Sequence, residues 1–445
     1  MGVWGLQAPA AGGSFCLSAL LLTWPALWNG YPLMFADSGT YVIQVPTLSL
    51  GWDRPPFYSL FLLLFHLRLS LWPVVVAQAV AATLLLRLAL RTVAPCGSEW
   101  RLVGVAGVLA VASSLPWFAA QVMPDLFTGL LVIALALLAT RPTWMLAAAA
   151  TAMITLHLSH LPLAVAVLAG VLAWRWWRER ARPGWAVVLP PVLAAGLLLG
   201  TNLIGHGRAA IAPFGGVFLL ARLIEDGPAR AVLARDCDHA GWALCRDRAD
   251  LPLTADAVLW SPTSPLQAVE RAARDQRRVA DEADAIVART WRTEAPAVLA
   301  GAGRATLRQL AAFGTGDGLH PWPEAVTPKL ARVLPEADLA GYARSRQTLG
   351  TLAVPAWLRA LHVAAALAGV ALCPLLLLLP GVPEAARVLA LATLIALPVN
   401  AAVTGALSGP HDRYQSRVMW LPLAVAACAL PGLWRARRPA AMACA

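Results

Sequence analysis

Leu71–Thr92 reads LWPVVVAQAVAATLLLRLALRT, an apolar run with no acidic residue and with its only charges, Arg87 and Arg91, towards its end. A helix rises 1.5 Å per residue, so about 20 such residues cross the ~30 Å hydrocarbon core of a bilayer. Working outward, comparable runs lie near Gly13–Gly30, Arg101–Ala119, Asp125–Thr140, Trp144–Leu158, Leu161–Ala173, Trp185–Ile204, Trp357–Leu379, Ala386–Ser408 and Val418–Trp434. With Leu71–Thr92 that makes ten spans. The Trp144–Leu158 and Leu161–Ala173 pair is marginal in length. Tyr58–Leu71 is shorter and holds His66 and Arg68, which suits a helix lying at the interface or half-entering the membrane. The first run has no basic leader and no small-residue cleavage site, so it reads as a retained span and not a signal peptide.

Composition agrees. The 445 residues are 59% hydrophobic and only 13% charged, where a soluble domain carries about 25% charged residues. A soluble enzyme, a secreted disulfide scaffold and a disordered chain are excluded. The expected fold class is an all-α polytopic membrane protein with about ten transmembrane helices and one large extracytoplasmic helical segment. It divides into an N-terminal transmembrane module (1–204), an extracytoplasmic segment (205–350) and a C-terminal transmembrane module (351–445).

The net charge of +11 is a statement about topology. Lys329 is the single lysine among 35 basic residues, an Arg bias that suggests a GC-rich bacterial coding sequence. His206–Gly350 holds 18 basic and 17 acidic residues, so the excess lies in short clusters at span ends: Arg87, Arg91 and Arg101; Arg141; Arg175, Arg178, Arg180 and Arg182; Arg387; Arg435, Arg437 and Arg438. With ten spans these fall on one side, which is then cytoplasmic. No nucleic acid is implied. The expected location is a bacterial inner (cytoplasmic) membrane, with the loops carrying Asp37, Asp53, Asp125 and Asp412 and the whole 205–350 segment facing the periplasm or exterior. Cys237 and Cys245 sit in that segment, where an oxidising compartment predicts a small disulfide-closed loop, the alternative being two free thiols. The remaining cysteines lie in spans or on the Arg-rich side, where no pairing is expected.

Outside 205–350 there are seven acidic residues. Glu99, Glu179 and Glu384 sit among arginines. The other four, Asp37, Asp53, Asp125 and Asp412, converge on the outer face, where an acid at a membrane boundary is costly unless paired or hydrated. Asp37, in Asp37-Ser38-Gly39, is the first candidate for a general base towards an acceptor hydroxyl, or it caps a turn. Asp53 precedes Arg54 and is the second catalytic candidate or a structural partner. Asp125 follows Pro124 at a helix start, where the helix dipole favours an acid. Gly409-Pro410-His411-Asp412-Arg413-Tyr414-Gln415-Ser416-Arg417 packs cations and an aromatic ring into one loop, a composition suited to phosphate oxygens or to interfacial anchoring. His157 and His160, three apart, make a metal conceivable, but no carboxylate accompanies them and a hydrogen-bonding or phosphate-contacting role fits better. Asn202 and Asn400 read as helix bridges. No Walker A or dinucleotide pattern occurs, and no cofactor is expected.

The order of features resembles the GT-C superfamily of membrane glycosyltransferases, which includes protein O-mannosyltransferases and lipid A aminoarabinose transferases. The likeness lies in Ala36-Asp37-Ser38-Gly39-Thr40-Tyr41 after the first span, Arg54-Pro55-Pro56-Phe57-Tyr58 leading an apolar helix, Met123-Pro124-Asp125, and Arg413-Tyr414 before the last span. It covers about the first 200 and last 90 residues. The resemblance implies inverting transfer of a sugar from a polyprenyl-phosphate donor to a lipid, glycan or protein acceptor on the outer face. The first-loop acid that serves as base matches Asp37. The cations on the donor phosphate match Arg413 and Arg417, with Arg54 a further candidate; the residues themselves add Tyr414 and His411 to the phosphate contacts and Asp125, His157 and His160 as candidate substrate contacts. The sequence departs from the family pattern in lacking an adjacent acidic pair in that loop, since Asp37 and Asp53 stand 16 apart. The alternative is a multi-pass lipid or polysaccharide transporter or flippase.

Overall fold

A computed structural model describes residues 9–180, 182–273 and 275–436; Arg437, Arg438 and Cys444 lie outside them. The described residues are helical with no strand, apart from a single bridge pairing Leu33 with Gln121. Five helices are long and apolar enough to cross a membrane: Trp72–Val93, His160–Glu179, Trp185–His206, Ala356–Leu378 and Glu384–Leu407. The chain is thus all-α and has the spans of a multi-pass membrane protein. The marginal run Leu161–Ala173 becomes a full-length helix, whereas Trp144–Thr155 stays at 12 residues.

Two of the predicted spans are broken and a third gains a separate helix before it, and each junction has the same cause. Gly13–Gly30 divides into Pro9–Leu21 and Trp24–Asn29, and Arg101–Ala119 into Trp100–Ala112 and Leu115–Ala120; the last run, Val418–Trp434, becomes Leu421–Ala436, and the stretch before it, read from the sequence as a loop, is the helix Asp412–Met419. Pro25, Pro116 and Pro422 each occupy the second position of the following piece. Proline has no N–H to continue the ladder but fits a first helical turn. Beside two of these junctions a hydroxyl serves the end of the preceding helix: Thr23 donates to Leu20 O (2.8 Å) and Ser113 to Leu109 O (2.6 Å).

Helix Asp125–Thr140 is buried from Asp125 through Ala139. A helix apolar on every side belongs at the centre of its bundle, and this one is ringed by Trp72–Val93, Trp144–Thr155, His160–Glu179 and Glu384–Leu407. Gly129 admits the Trp420 ring, which a Cβ there would meet at 2.5 Å. At the opposite end from Asp125, Trp100, Trp144, Trp176, Trp177 and Trp185 are exposed beside the arginine clusters.

The 205–350 segment contains two packing units. Residues from Phe214 to Val298 share a core of their own and include the Cys237–Cys245 disulfide. Beyond it, Val326, Leu330, Leu334 and Tyr342 belong to the bundle's core. The 36-residue helix Gln276–Ala311 joins the two, kinked at Glu294 ahead of Pro296. Its second half lies so close to Glu384–Leu407 that a Cβ on Gly405 would stand 2.7 Å from the Ala305 carbonyl. Cys16, Cys373 and Cys428 are free thiols, as expected in spans; Cys96, against expectation, is disulfide-bonded.

Candidate functional site

The bridge between Leu33 and Gln121 draws the first inter-span loop onto the start of the central helix, and the Ser38 hydroxyl ties the two by donating to Val122 O (2.8 Å). Two charged clusters form on this joint. In the inner one Asp125 is 3% exposed; one carboxylate oxygen takes Arg413 Nη1 at 3.2 Å and the other Arg417 Nη1 at 3.1 Å. Arg417 is fully buried and also donates to Asn400 Oδ1 from Nε (3.2 Å) and Nη2 (2.9 Å) and to the Ser159 hydroxyl (3.0 Å). Asn400 in turn donates to Tyr414 O (2.7 Å) and Gln415 Oε1 (2.9 Å), so it bridges helices as its sequence position suggested. Asn202 instead donates to Ala210 O and Ile211 O just downstream.

The outer cluster lies on residues 35–41. Asp37 begins helix Ser38–Ile43, but its carboxylate caps nothing. One oxygen takes Arg54 Nη2 at 3.1 Å and the side chain stays 34% exposed. Arg54 also pairs with Asp53 and lies 5.1 Å from the Tyr41 ring centroid. Burial opposes the Arg54 charge, but Asp37 and Asp53 outweigh it and hold its pKa above the usual arginine value. Arg413 lies 3.7 Å above the Phe35 ring, the other face of the same loop.

The placement sorts the predicted residues. Asp37, Asp53, Arg54, Arg413 and Tyr414 come together. Arg417 does not face a ligand: with one side-chain N–H left over and no exposure, it supports Asp125. Asp125 is consumed by two guanidinium groups and holds Arg413 instead of offering itself to substrate. His160 has both ring nitrogens engaged, with Thr128 Oγ1 (2.8 Å) and Met153 O (2.7 Å), and is a core residue. His157 contacts Ser159, its Nδ1 lying 2.8 Å from that hydroxyl. His411 turns away to Asp256 of the separate core, Nε2 to Oδ2 3.4 Å; the bond to Asp256 raises the His411 pKa against burial, and His411 lowers that of Asp256. Asp412 accepts from Gly314 N (2.9 Å). Among the described residues no three His, Cys, Asp or Glu side chains converge to hold a metal.

Three participants escaped the sequence reading. Phe35 carries Arg413; Asp317 accepts from the Arg413 backbone N–H at 3.1 Å; and Lys329 donates to Thr40 Oγ1 at 2.8 Å. Gly318, at φ +76°, leaves the room into which Phe35 fits, a Cβ there meeting that ring at 2.4 Å. The only available signal was that Lys329 is the one lysine in an arginine-rich chain. No protein-family model, curated protein or solved structure matches this chain.

Proposed function

We propose that this chain is an integral membrane glycosyltransferase of the GT-C plan, with the Asp37 end of its bundle facing the exterior of a bacterial cytoplasmic membrane. In this reading the exposed tryptophans and arginine clusters of the opposite end mark the cytoplasmic boundary. The five long helices cross the bilayer, and the shorter apolar helices and broken pairs complete about ten crossings. The donor is a polyprenyl-phosphate sugar, its tail in the bilayer and its phosphate at the interface. An acceptor hydroxyl attacks the anomeric carbon and gives its proton to Asp37, while the C–O bond to phosphate breaks with inversion and the leaving phosphate keeps the electron pair. Arg413 stabilises that phosphate, with the Tyr414 hydroxyl beside it. Arg54 and Asp53 hold Asp37, and Asp125 with Arg417 hold Arg413. The low-dielectric surroundings make a fixed cation worth more than it would be in water.

The observation that carries this reading is that Asp37 keeps an open carboxylate in the same short loop whose Phe35 bears Arg413. The resemblance in motif order and sidedness supplies the reaction. The test is release of free polyprenyl phosphate from a panel of polyprenyl-phosphate sugars, with acceptor-containing membrane extract, by purified protein and its Asp37→Asn variant. Release with one sugar, lost on substitution, is expected. Release that survives would move the base to Asp53, and no release with any donor would count against the enzyme.

A transporter of lipid or polysaccharide is the second reading. A buried acid with two arginines where broken helices meet is an arrangement that carriers also use. Movement of a lipid-linked glycan across sealed vesicles without cleavage of its phosphate bond would favour it.

A further inference from the structure

The cations of the site differ in what they have left to give. Arg417 uses four of its five N–H bonds on protein. Arg54 is neutralised by two carboxylates and also donates to the Asp37 carbonyl (3.3 Å). Arg413 spends only Nη1, on Asp125 (3.2 Å), and its Nε and Nη2 bond no described residue. Lys329 spends one N–H, on Thr40. The free donors therefore sit on Arg413 and Lys329, which reach one loop from its two ends: Arg413 at Phe35, two residues before Asp37, and Lys329 at Thr40, three residues after it. The lysine stem is fitted there by Gly39, where a Cβ would stand 3.0 Å from its Cδ.

We infer that Lys329, brought in by helix Pro323–Leu330 of the segment between the modules, joins Arg413 in binding a phosphate group of the substrate beside Asp37. A planar carboxylate presents both oxygens to one side, whereas the diverging oxygens of a phosphate can take a guanidinium fork from one end of the loop and a point-charge ammonium from the other. That the phosphate belongs to a polyprenyl donor rests on the glycosyltransferase reading; that Lys329 and Arg413 take a phosphate does not. The segment between the modules then completes the site. The competing account is that Lys329 only braces the loop through Thr40.

The test uses full-length protein in nanodiscs and measures binding of polyprenyl phosphate, of polyprenol, and of phosphatidic acid, for the wild type and for Lys329→Ala, Lys329→Arg and Thr40→Val. Thermal unfolding of each variant confirms that it is folded. The expected result is preference for polyprenyl phosphate over polyprenol, weakened about tenfold or more in Lys329→Ala, as loss of one charge-assisted bond predicts. Lys329→Arg restores most of it, and Thr40→Val loses less than about threefold on the same scale. Equal binding by wild type and Lys329→Ala overturns the inference and leaves the donor reading standing. An equal loss in Thr40→Val also overturns it, in favour of bracing. Lys329-dependent binding of phosphatidic acid but not of polyprenyl phosphate keeps the inference and overturns the donor. Binding of no phosphate lipid overturns the inference.

Discussion

Asp125 and Asp37 both stand at the same end of the bundle, each paired with arginine. Yet Asp125 is 3% exposed and holds two guanidinium groups, while Asp37 is 34% exposed and shares a single arginine with Asp53. An acid whose oxygens are both engaged by buried cations is a fixed counter-charge, and one with an open oxygen can still accept a proton or a ligand. Saturation, more than charge or position, separates the two acids.

The sharpest way to break the comparison is Asp125→Ala. It strands Arg413 and Arg417 in the interior, and removing one member of a buried ion pair costs about 3–5 kcal/mol. Thermal unfolding in detergent should show the largest loss of any change at this end; a stability near wild type would mean that the inner cluster is not structural. Arg413→Ala comes next, because Arg413 belongs to both clusters. Asp125 keeps Arg417, so the loss should be about 1–3 kcal/mol, from one charged hydrogen bond and a desolvated cation–π contact. Release of polyprenyl phosphate should nevertheless fall further than in any other variant with comparable stability. Asp37→Asn should change stability by less than about 1 kcal/mol, as partly exposed pairs do, while abolishing turnover; a large stability loss would put Asp37 with Asp125.

The smallest effect concerns the contact between His411 and Asp256, which joins the separate core of residues 214–298 to the bundle. His411 has a raised folded pKa, so its contribution is complete below its unfolded value of about 6.5 and is lost as pH rises through the folded value. Asp256 has a lowered one, so its contribution is present above about pH 3.9 and is lost as pH falls through the folded value. The contact is strongest between about pH 4 and 6.5 and weakens above that, by less than about 1 kcal/mol for groups this exposed. Amide hydrogen exchange of helix Ala255–Trp260 should accelerate, beyond the intrinsic rate, as pH rises past that window. A His411→Gln variant should show no such change, and an identical profile in both would remove the contact from the account.

Much of this was legible in one dimension. The helical class, the collection of Asp37, Asp53, Asp125 and Arg413 at one end, and the Cys237–Cys245 pairing all follow from hydropathy, span alternation and spacing. The partners of these residues were not legible, because Arg413 meets Asp125 across 288 residues and Lys329 meets Thr40 across 289. No local pattern encodes which acid is filled and which is left open.

Proline makes the same point within single helices. Pro25, Pro116 and Pro422 open new helices after a break, while Pro190, Pro191, Pro374 and Pro398 sit inside helices that continue through them. The sequence by itself determined that these stretches are helices. With no water in a bilayer core, each crossing segment must satisfy its own backbone groups, and that is a local rule. Tertiary structure decided where the helices stop and which charges are spent, because a carboxylate is satisfied only by whatever the rest of the chain brings within about 3 Å of it.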